Sequence, residues 1–203
     1  GGFVGWRGDG LWANAQLAWT DVGFDVDRVV PLGPATRVHS GSPDGDNLSI
    51  GASAGWEFEH GALRHGPVLS LLSQQISIDG YAETDPTLST SLAYPEQDFD
   101  SLIGSVGWQA SYSINEHLQP YAQITWDREF EEAPKQAFAQ AQSMPGSLPY
   151  AVPGLELDDS FAKLQLGART KLIGLDANIG VNFSNSQGAG DDISVFASFG
   201  RGF

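Results

Sequence analysis

Apolar residues alternate with polar or small residues in segments of about ten residues that follow one another along almost the whole chain. The cleanest is 47–58, where every even position from Leu48 to Phe58 is apolar or Ala and every odd position is Asn, Ser, Gly or Glu. Because successive side chains of a strand point to opposite faces, each segment predicts a strand with one apolar and one polar face. We expect nine strands, at 2–7, 11 to about 30, 47–58, 66 to about 80, 98–113, 118–131, 159–172, 175–183 and 191–203.

The predicted connections alternate between short turns and long loops, the long ones at 31–46, 81–97 and 132–157. Only 133–143, rich in Ala and Gln, hints at a helical period. Outer-membrane barrels have short periplasmic turns and longer extracellular loops, so the order predicts long loops outside and the carboxy-terminus at the periplasmic side. Nine is an odd number, whereas single-chain bacterial barrels have even numbers, so we expect further strands before Gly1.

The polar faces hold few charges, and no apolar run reaches the roughly 18 to 20 residues of a transmembrane helix. Only helices and closed barrels satisfy backbone groups in lipid. Five Trp residues lie on apolar faces near strand ends, as in the aromatic girdles of membrane barrels: Trp6, Trp19, Trp56, Trp108 and Trp126. The sequence therefore predicts an all-β, antiparallel transmembrane β-barrel. The alternative is a soluble β-sandwich, in which these Trp residues would form the core between two sheets.

The charge and the candidate chemistry narrow the function. With 10 basic and 25 acidic residues the formal charge is −15, which argues against nucleic acid as a partner. There is no Cys, and the four His residues lack metal-ligand spacing, so we predict no metal and no cofactor. Ser53 lies in a G-x-S-x-G sequence, but it is at mid-strand and not in the strand-to-helix turn that a nucleophile needs. We therefore predict no catalytic residue; a soluble sandwich enzyme using Ser53 is the rival hypothesis.

Charged residues recur on the polar faces of the sixth and seventh strands. Facing cross-strand positions favour ion pairs, so the sequence predicts a mixed-sign cluster inside the barrel that holds a threaded helix or gates the pore. The alternative is that these charges satisfy only each other and water. The predicted cluster contains Asp127, Glu129, Glu131, Lys163, Arg169 and Lys171. Phe199 and Phe203 share the apolar face of the last strand, and an aromatic terminus fits a signal for membrane assembly.

Short sequence runs also carry a family resemblance, in order along almost the whole chain: GPATR at 33–37, HSGS at 39–42, DGDNL at 44–48, RHGP at 64–67, DGY at 79–81, GWQA at 107–110, QPYAQ at 119–123, VPGL at 152–155 and LGART at 166–170. With these runs the chain resembles the barrel of the GDSL-type esterase autotransporters, the EstA type. The resemblance implies that 1–203 is the carboxy-terminal part of a translocator domain, with about nine of twelve barrel strands. The passenger, a linker helix that threads the barrel and the first strands would precede Gly1.

The resemblance also implies a function and partners. The barrel would sit in the bacterial outer membrane, and would export and display an amino-terminal GDSL esterase or lipase. Its partners would be outer-membrane lipid, the barrel-assembly machinery and its own passenger and linker helix. No Gly-Asp-Ser-Leu run occurs here, so the chain itself is not expected to be an enzyme. A soluble β-sheet binding module and a stand-alone outer-membrane channel remain the alternatives.

Overall fold

The structure, a computed structural model, describes residues 1–131, 136–144, 146, 148–153, 159–172, 175–185 and 191–200. In these ranges no helix has the length and apolarity to cross a membrane. The strands are β1 Gly2–Gly8, β2 Leu11–Gly23, β3 Val26–Leu32, β4 Ala35–Gly41, β5 Asp44–Trp56, β6 Phe58–His60, β7 Leu63–Ile78, β8 Tyr81–Ala82, β9 Leu92–Tyr94, β10 Gln97–Tyr112, β11 Leu118–Glu129, β12 Gln136–Ala141, β13 Tyr150–Pro153, β14 Ser160–Leu172, β15 Leu175–Asn185 and β16 Asp191–Gly200.

Nine strands form one antiparallel sheet in the order β1, β2, β5, β7, β10, β11, β14, β15, β16, with β6 paired beside them to β7. The order of these nine strands in the sheet is therefore the same as their order along the chain. These nine correspond one to one to the nine predicted strands. The prediction of an all-β antiparallel fold with nine strands is confirmed.

In the middle of this sheet the register places apolar residues beside apolar residues and serines beside serines. One row across it contains Ala54, Leu69, Val106 and Trp126, and the next row along contains Ser53, Ser70 and Ser105. Within the described residues the buried apolar side chains are few: Val68, Leu92, Ala139 and Ala177. The apolar face is instead exposed, so it has no second sheet to pack against. The soluble sandwich is wrong, because such a fold would bury these rows in a core.

The polar face of the sheet is concave. Arg7 of β1, Trp12 of β2, Gln109 of β10 and Arg169 of β14 line one cavity of about 340 Å³. Strands from both halves of the sheet reach this cavity only because the sheet curls toward closure, as twisted sheets with a barrel register do. We call the space on this face the lumen.

The connections at the two rims of the sheet differ. At one rim they are 9–10, 57–62, 113–117 and 173–174. At the other rim they are 24–43, 79–96 and 130–159, followed by the shorter 186–190. The predicted alternation holds for the first three pairs of connections.

The long connections contain strands that the sequence interpretation missed. β3 and β4 form a hairpin within 24–43, where Gly33 takes a positive φ of 65° at the turn. β2 ends at Gly23, so the expectation that it continues to about Val30 was wrong. β8, β9, β12 and β13 form a four-stranded sheet. The helical hint at 133–143 was also wrong, because Gln136–Ala141 pairs as a strand with both β9 and β13. We call these six strands, together with the other described residues of the same three long connections, the cap.

Candidate functional site

Two of the six predicted lumen charges form an ion pair. Lys163 Nζ lies 2.7 Å from Asp127 Oδ2, and the side chain of Asp127 is only 2% exposed. The register sets Lys163 beside Thr125, which lies two residues before Asp127 and therefore on the same face of β11, so the side chains of Lys163 and Asp127 both point into the lumen. Lys163 Nζ also lies 4.8 Å from the ring centre of Phe161. This pair neutralises a carboxylate that burial would otherwise make costly.

Glu129 uses a different set of partners. Its carboxylate accepts hydrogen bonds from the Ser101 hydroxyl at 2.5 Å and from the Leu102 N–H at 2.6 Å. The N–H groups of Phe130 and Glu131 add two more, each at 3.1 Å. Glu131 thus contributes its backbone, and its side chain is exposed. These two glutamates fix the end of β11 against β10.

Arg169 and Lys171 lie farther down β14. Six residues separate Lys163 from Arg169, which is about 20 Å along a strand. The Arg169 guanidinium lies 5.0 Å from the ring centre of Tyr121, whose hydroxyl donates to Asn178 Oδ1 at 2.9 Å. Lys171 is exposed and lines a larger cavity of about 1180 Å³. The structure therefore divides the six predicted residues into two groups, one toward each rim.

Tyr121 occupies its place in the lumen because its neighbour on β14 is Gly167. A Cβ atom on Gly167 would lie 2.5 Å from the Tyr121 ring carbon Cζ. Trp12 covers Gly55 in the same way, with 2.7 Å between its ring carbon Cζ2 and a Cβ at that glycine. These two aromatic rings narrow the lumen toward the rim of short connections.

Three buried polar atoms of lumen-facing side chains have no hydrogen-bond partner among the described residues: Trp12 Nε1, Gln109 Nε2 and Asp127 Oδ1. Buried polar groups in native proteins are nearly always paired, with protein or with water. Two donors and one acceptor are thus directed at the lumen from three strands. The arrangement is suited to a polar occupant.

Outside the lumen, the cap contains an ion pair that sequence reasoning missed. Arg28 Nε lies 2.6 Å from Glu83 Oε1, and the Leu92 N–H donates to Glu83 Oε2 at 2.8 Å. Burial works to raise the pKa of the Glu83 carboxyl, but the hydrogen bonds from Arg28 and Leu92 outweigh it and the pKa lies below its usual value. Burial raises the pKa of the nearby Tyr94 phenol to about 12.

The cap joins all three long connections. His39 of 24–43 is buried, with Nε2 placed 2.8 Å from Thr90 Oγ1 of 79–96. Gln142 of 130–159 donates to the Glu83 carbonyl at 2.7 Å and to the Ser91 hydroxyl at 2.8 Å. These residues are far apart in sequence and lie in stretches rich in Pro, Gly and Ser, so no periodic signal indicated them.

The predicted aromatic residues face away from the lumen. Exposure of the five Trp side chains ranges from 43% at Trp56 to 66% at Trp19. Trp108 stacks with Phe58 and His65 on the outer face, near the rim of short connections. Phe199 is 63% exposed on the outer face of β16, and Phe203 lies outside the described residues.

Ser53 has no feature of a nucleophile. It lies at mid-strand in β5, between Asn14 of β2 and Ser70 of β7, without the strand-to-helix turn that a nucleophile elbow requires. Among the described residues, no group of three or more His, Asp or Glu side chains is placed to hold a metal ion.

An apolar outer face, a polar lumen and a meander of nine strands define the type of fold, and residues 1–184 match the autotransporter beta-domain family. The chain belongs to this family. It is an outer-membrane translocator domain, and it is not itself the catalytic part of an enzyme. The translocator domain of the autotransporter NalP from Neisseria meningitidis has a similar structure, with a TM-score of 0.73 at 15% identity, over 98% of this chain and 64% of that one.

The curated relatives confirm the resemblance to EstA-type proteins. The chain is 25% identical over 174 residues to "Esterase EstA" of Pseudomonas aeruginosa, covering 84% of this chain and 27% of that protein. It is 26% identical over 121 residues to "Lipase 1" of Photorhabdus luminescens, covering 59% of this chain and 18% of that protein. The translocator domain thus spans about a quarter or less of the length of these relatives.

Proposed function

We propose that this domain anchors an amino-terminal GDSL esterase or lipase passenger in the outer membrane and takes part in its export. The observation that carries the proposal is the match to the autotransporter beta-domain family. The same chain is similar to about a quarter of the length of a protein named esterase. The domain offers a membrane-facing wall and a polar lumen, and the ester hydrolysis belongs to the passenger.

Surface display tests this proposal. Intact cells that produce the full-length protein are expected to hydrolyse p-nitrophenyl butyrate, and protease added outside should remove that activity. Deletion of 1–203, with the export signal retained, should leave the activity inside the cell envelope. Equal activity at the cell surface without 1–203 would contradict the proposal.

We further propose that the cap faces the cell exterior and that β16 ends at the periplasmic rim. Long connections at one rim and short turns at the other support this orientation. Residues 1–203 contain no Cys, so a single thiol introduced among them is compared with the unmodified protein as the blank. An impermeant maleimide on intact cells should label Ala35→Cys in the cap and should not label Glu116→Cys in the turn 113–117. The reverse pattern would contradict the orientation.

For the lumen, we propose that both charged groups, Asp127 with Lys163 and Arg169 with Tyr121, hold the linker helix that leads to the passenger. The unpartnered Trp12 and Gln109 donors support an occupant of this kind. Arg169→Ala should raise ion conductance in planar bilayers or expose the linker to protease. Arg37→Ala, which removes a cation of the cap, is the control. Unchanged conductance and unchanged linker protection in Arg169→Ala would count against the proposal, and equal conductance without any linker would favour a stand-alone channel.

We also propose that the barrel-assembly machinery recognises the last strand through Phe199 and Phe203. Phe199 stands on the lipid side of an edge strand, where an assembly factor has access to it. Phe199→Ala combined with Phe203→Ala should lower the amount of folded protein in the outer membrane several-fold, as measured by heat-modifiable mobility on gels. Ile193→Ala, at the other end of the same face, is the matched control. An equal loss in the control would mean that general apolarity, and not the strand end, is recognised.

A further inference from the structure

Arg128 has an unusual position for a cation in this domain. It lies on β11 between Asp127 and Glu129, which point to the lumen, so alternation turns Arg128 to the outer face with Trp126. Among the described residues it is the one cation on the outer face of the nine-stranded sheet. The other described cations lie in the lumen or in the cap: Arg7, Arg64, Lys163, Arg169 and Lys171 in the lumen, and Arg28 and Arg37 in the cap.

The surroundings of Arg128 leave its guanidinium open to the membrane. Its neighbour across to β10 is Gly104, over which the Phe130 ring folds: a Cβ on Gly104 would lie 2.8 Å from the Phe130 ring carbon Cε2. The Arg128 guanidinium carbon is 5.8 Å from the centre of the same ring. Arg128 is exposed, and no carboxylate lies within 4.0 Å of it among the described residues. Its five N–H donors are thus available for an external acceptor.

A groove on the outer face leads to Arg128. It has a volume of about 820 Å³ and passes over Ala52, Ala54 and Gly104, with Trp126 and Phe130 at the Arg128 end. Ala52, Ala54 and Gly104 are the low points of the groove. The side chains that stand above it are 50% to 59% exposed: Leu69, Leu71, Val106, Trp126 and Phe130. The groove is apolar along its length and cationic at one end. A groove with this shape and polarity is complementary to an acyl chain attached to an anionic headgroup.

The depth of Arg128 agrees with a headgroup contact. It is the last residue but one of β11, at the rim that carries the cap. A lipid-facing cation is costly at mid-membrane and is tolerated near the interface, where aromatic residues also gather. The nearest outward carboxylate on β10 is Asp100, four residues beyond Gly104, which is about 13 Å along the strand. An Arg guanidinium binds phosphate oxygens in pairs, so phosphate is the anion it favours.

We propose that Arg128, Trp126 and Phe130 bind a phosphorylated glycolipid of the outer leaflet, with the phosphate on Arg128 and one acyl chain in the groove. The choice of leaflet rests on the orientation proposed above for the cap. The site is on the outer face, so it is separate from the lumen and from the export path.

Native mass spectrometry of the purified full-length protein in detergent micelles tests the site. The probes are diphosphoryl lipid A, the same lipid A with both phosphates removed, and phosphatidylglycerol. The unmodified protein should retain one diphosphoryl lipid A, and Arg128→Gln should weaken that binding on the order of tenfold, since it removes a charge-assisted contact. Arg128→Lys, which keeps the charge but loses the paired N–H donors, should weaken binding less than Arg128→Gln does, and Arg7→Gln, which removes a lumen cation, should change nothing. Gly104→Val, which fills the groove without changing charge, should also weaken binding.

Several results would overturn the proposal. Equal binding of diphosphoryl lipid A by Arg128→Gln, or of dephosphorylated lipid A by the unmodified protein, would remove the phosphate contact. Equally tight binding of phosphatidylglycerol would show a site for anionic lipid in general, and not for the glycolipid. The thiol-labelling experiment reports the orientation independently, so a failed site and a wrong orientation are distinguishable. Heat-modifiable mobility checks that each variant is folded before binding is compared.

Discussion

The carboxylate of Asp127 is buried in the lumen wall, and Lys163 is its ion-pair partner at 2.7 Å. Lys163→Met would leave the buried charge unpaired, so we expect it to lower the free energy of unfolding by about 1–3 kcal/mol, less than for a fully buried pair because Lys163 is partly exposed. Lys171→Met, on the same strand and face, should cost less than about 0.5 kcal/mol. Urea unfolding in lipid vesicles measures both. Equal losses would show that the ion pair contributes nothing specific.

Gly167 and Tyr121 depend on each other. Gly167→Ala would place a Cβ 2.5 Å from Tyr121 Cζ and 2.8 Å from the Ile179 carbonyl oxygen, so the ring must leave its hydrogen bond to Asn178. We expect a loss of about 1–3 kcal/mol in the free energy of unfolding. Gly5→Ala, whose Cβ would meet its nearest atom at 3.9 Å, is the matched control. Gly167→Ala should cost less in a Tyr121→Ala background than in the unmodified protein, with the contact to the Ile179 carbonyl oxygen accounting for what remains; an equal cost in both backgrounds would show that the two positions are not coupled.

At the scale of single residues, sequence alternation was enough to assign faces but not partners. It placed Asp127 and Lys163 in the lumen, and the structure pairs them. It grouped Arg169 with them, although Arg169 lies about 20 Å away along β14 and contacts Tyr121. The face of a side chain follows from its parity in the strand, whereas its neighbour depends on the stagger between strands, which the sequence does not state.

At the scale of structural elements, we expect low pH to destabilise the cap. The pKa of the Glu83 carboxyl is lowered in the folded cap, so its pairing with Arg28 stabilises the cap above the ordinary carboxyl pKa of about 4.3, and this stability is lost as pH falls through the lower folded value. We expect amide hydrogen exchange in 79–96, corrected for the intrinsic rate, to accelerate below about pH 4.

Glu83→Gln is the variant that isolates this effect. It should make the exchange of 79–96 faster at neutral pH and nearly independent of pH between about 3 and 6. Asp98→Asn, a carboxylate on the outer face of β10, is the control and should keep the transition. A pH response in Glu83→Gln as large as that of the unmodified protein would assign the effect to another group.

The strands of the main sheet were predictable and those of the cap were not, for a physical reason. A membrane strand must be apolar on every second residue over its whole length, because lipid is its solvent on that face. The cap strands meet water on one side and a polar network around Glu83 on the other, so Val26–Leu32 and Ala35–Gly41 show only a weak alternation. Pro31 within β3, and Gly33 and Pro34 in the turn that follows it, further favoured a loop interpretation.

At the scale of the whole molecule, the apolar side chains of the sheet face lipid and do not pack into a protein core. Single-Trp variants that keep Trp56 or Trp108 should be quenched by brominated lipid, because these side chains face outward. A variant that keeps only Trp12 should resist quenching, because its indole lies over Gly55 in the lumen. Fluorescence in vesicles with brominated and ordinary phosphatidylcholine measures this. Equal quenching of Trp12 and Trp108 would mean that the lumen is open to lipid.

The direction of the two edge strands, β1 and β16, limits how this sheet can close into a barrel. In a nine-strand antiparallel meander, the first and ninth strands run toward the same rim. A direct seam between β1 and β16 would be a parallel pair in an otherwise antiparallel wall. A second copy inserted with the same membrane orientation would meet the same mismatch at both junctions. An inserted segment restores alternating direction all the way round only if it has an odd number of strands and its first strand runs opposite to β16. A second copy in the same membrane orientation has the odd number but not the direction, so direction alone excludes a symmetric pair of these sheets as a closed antiparallel barrel.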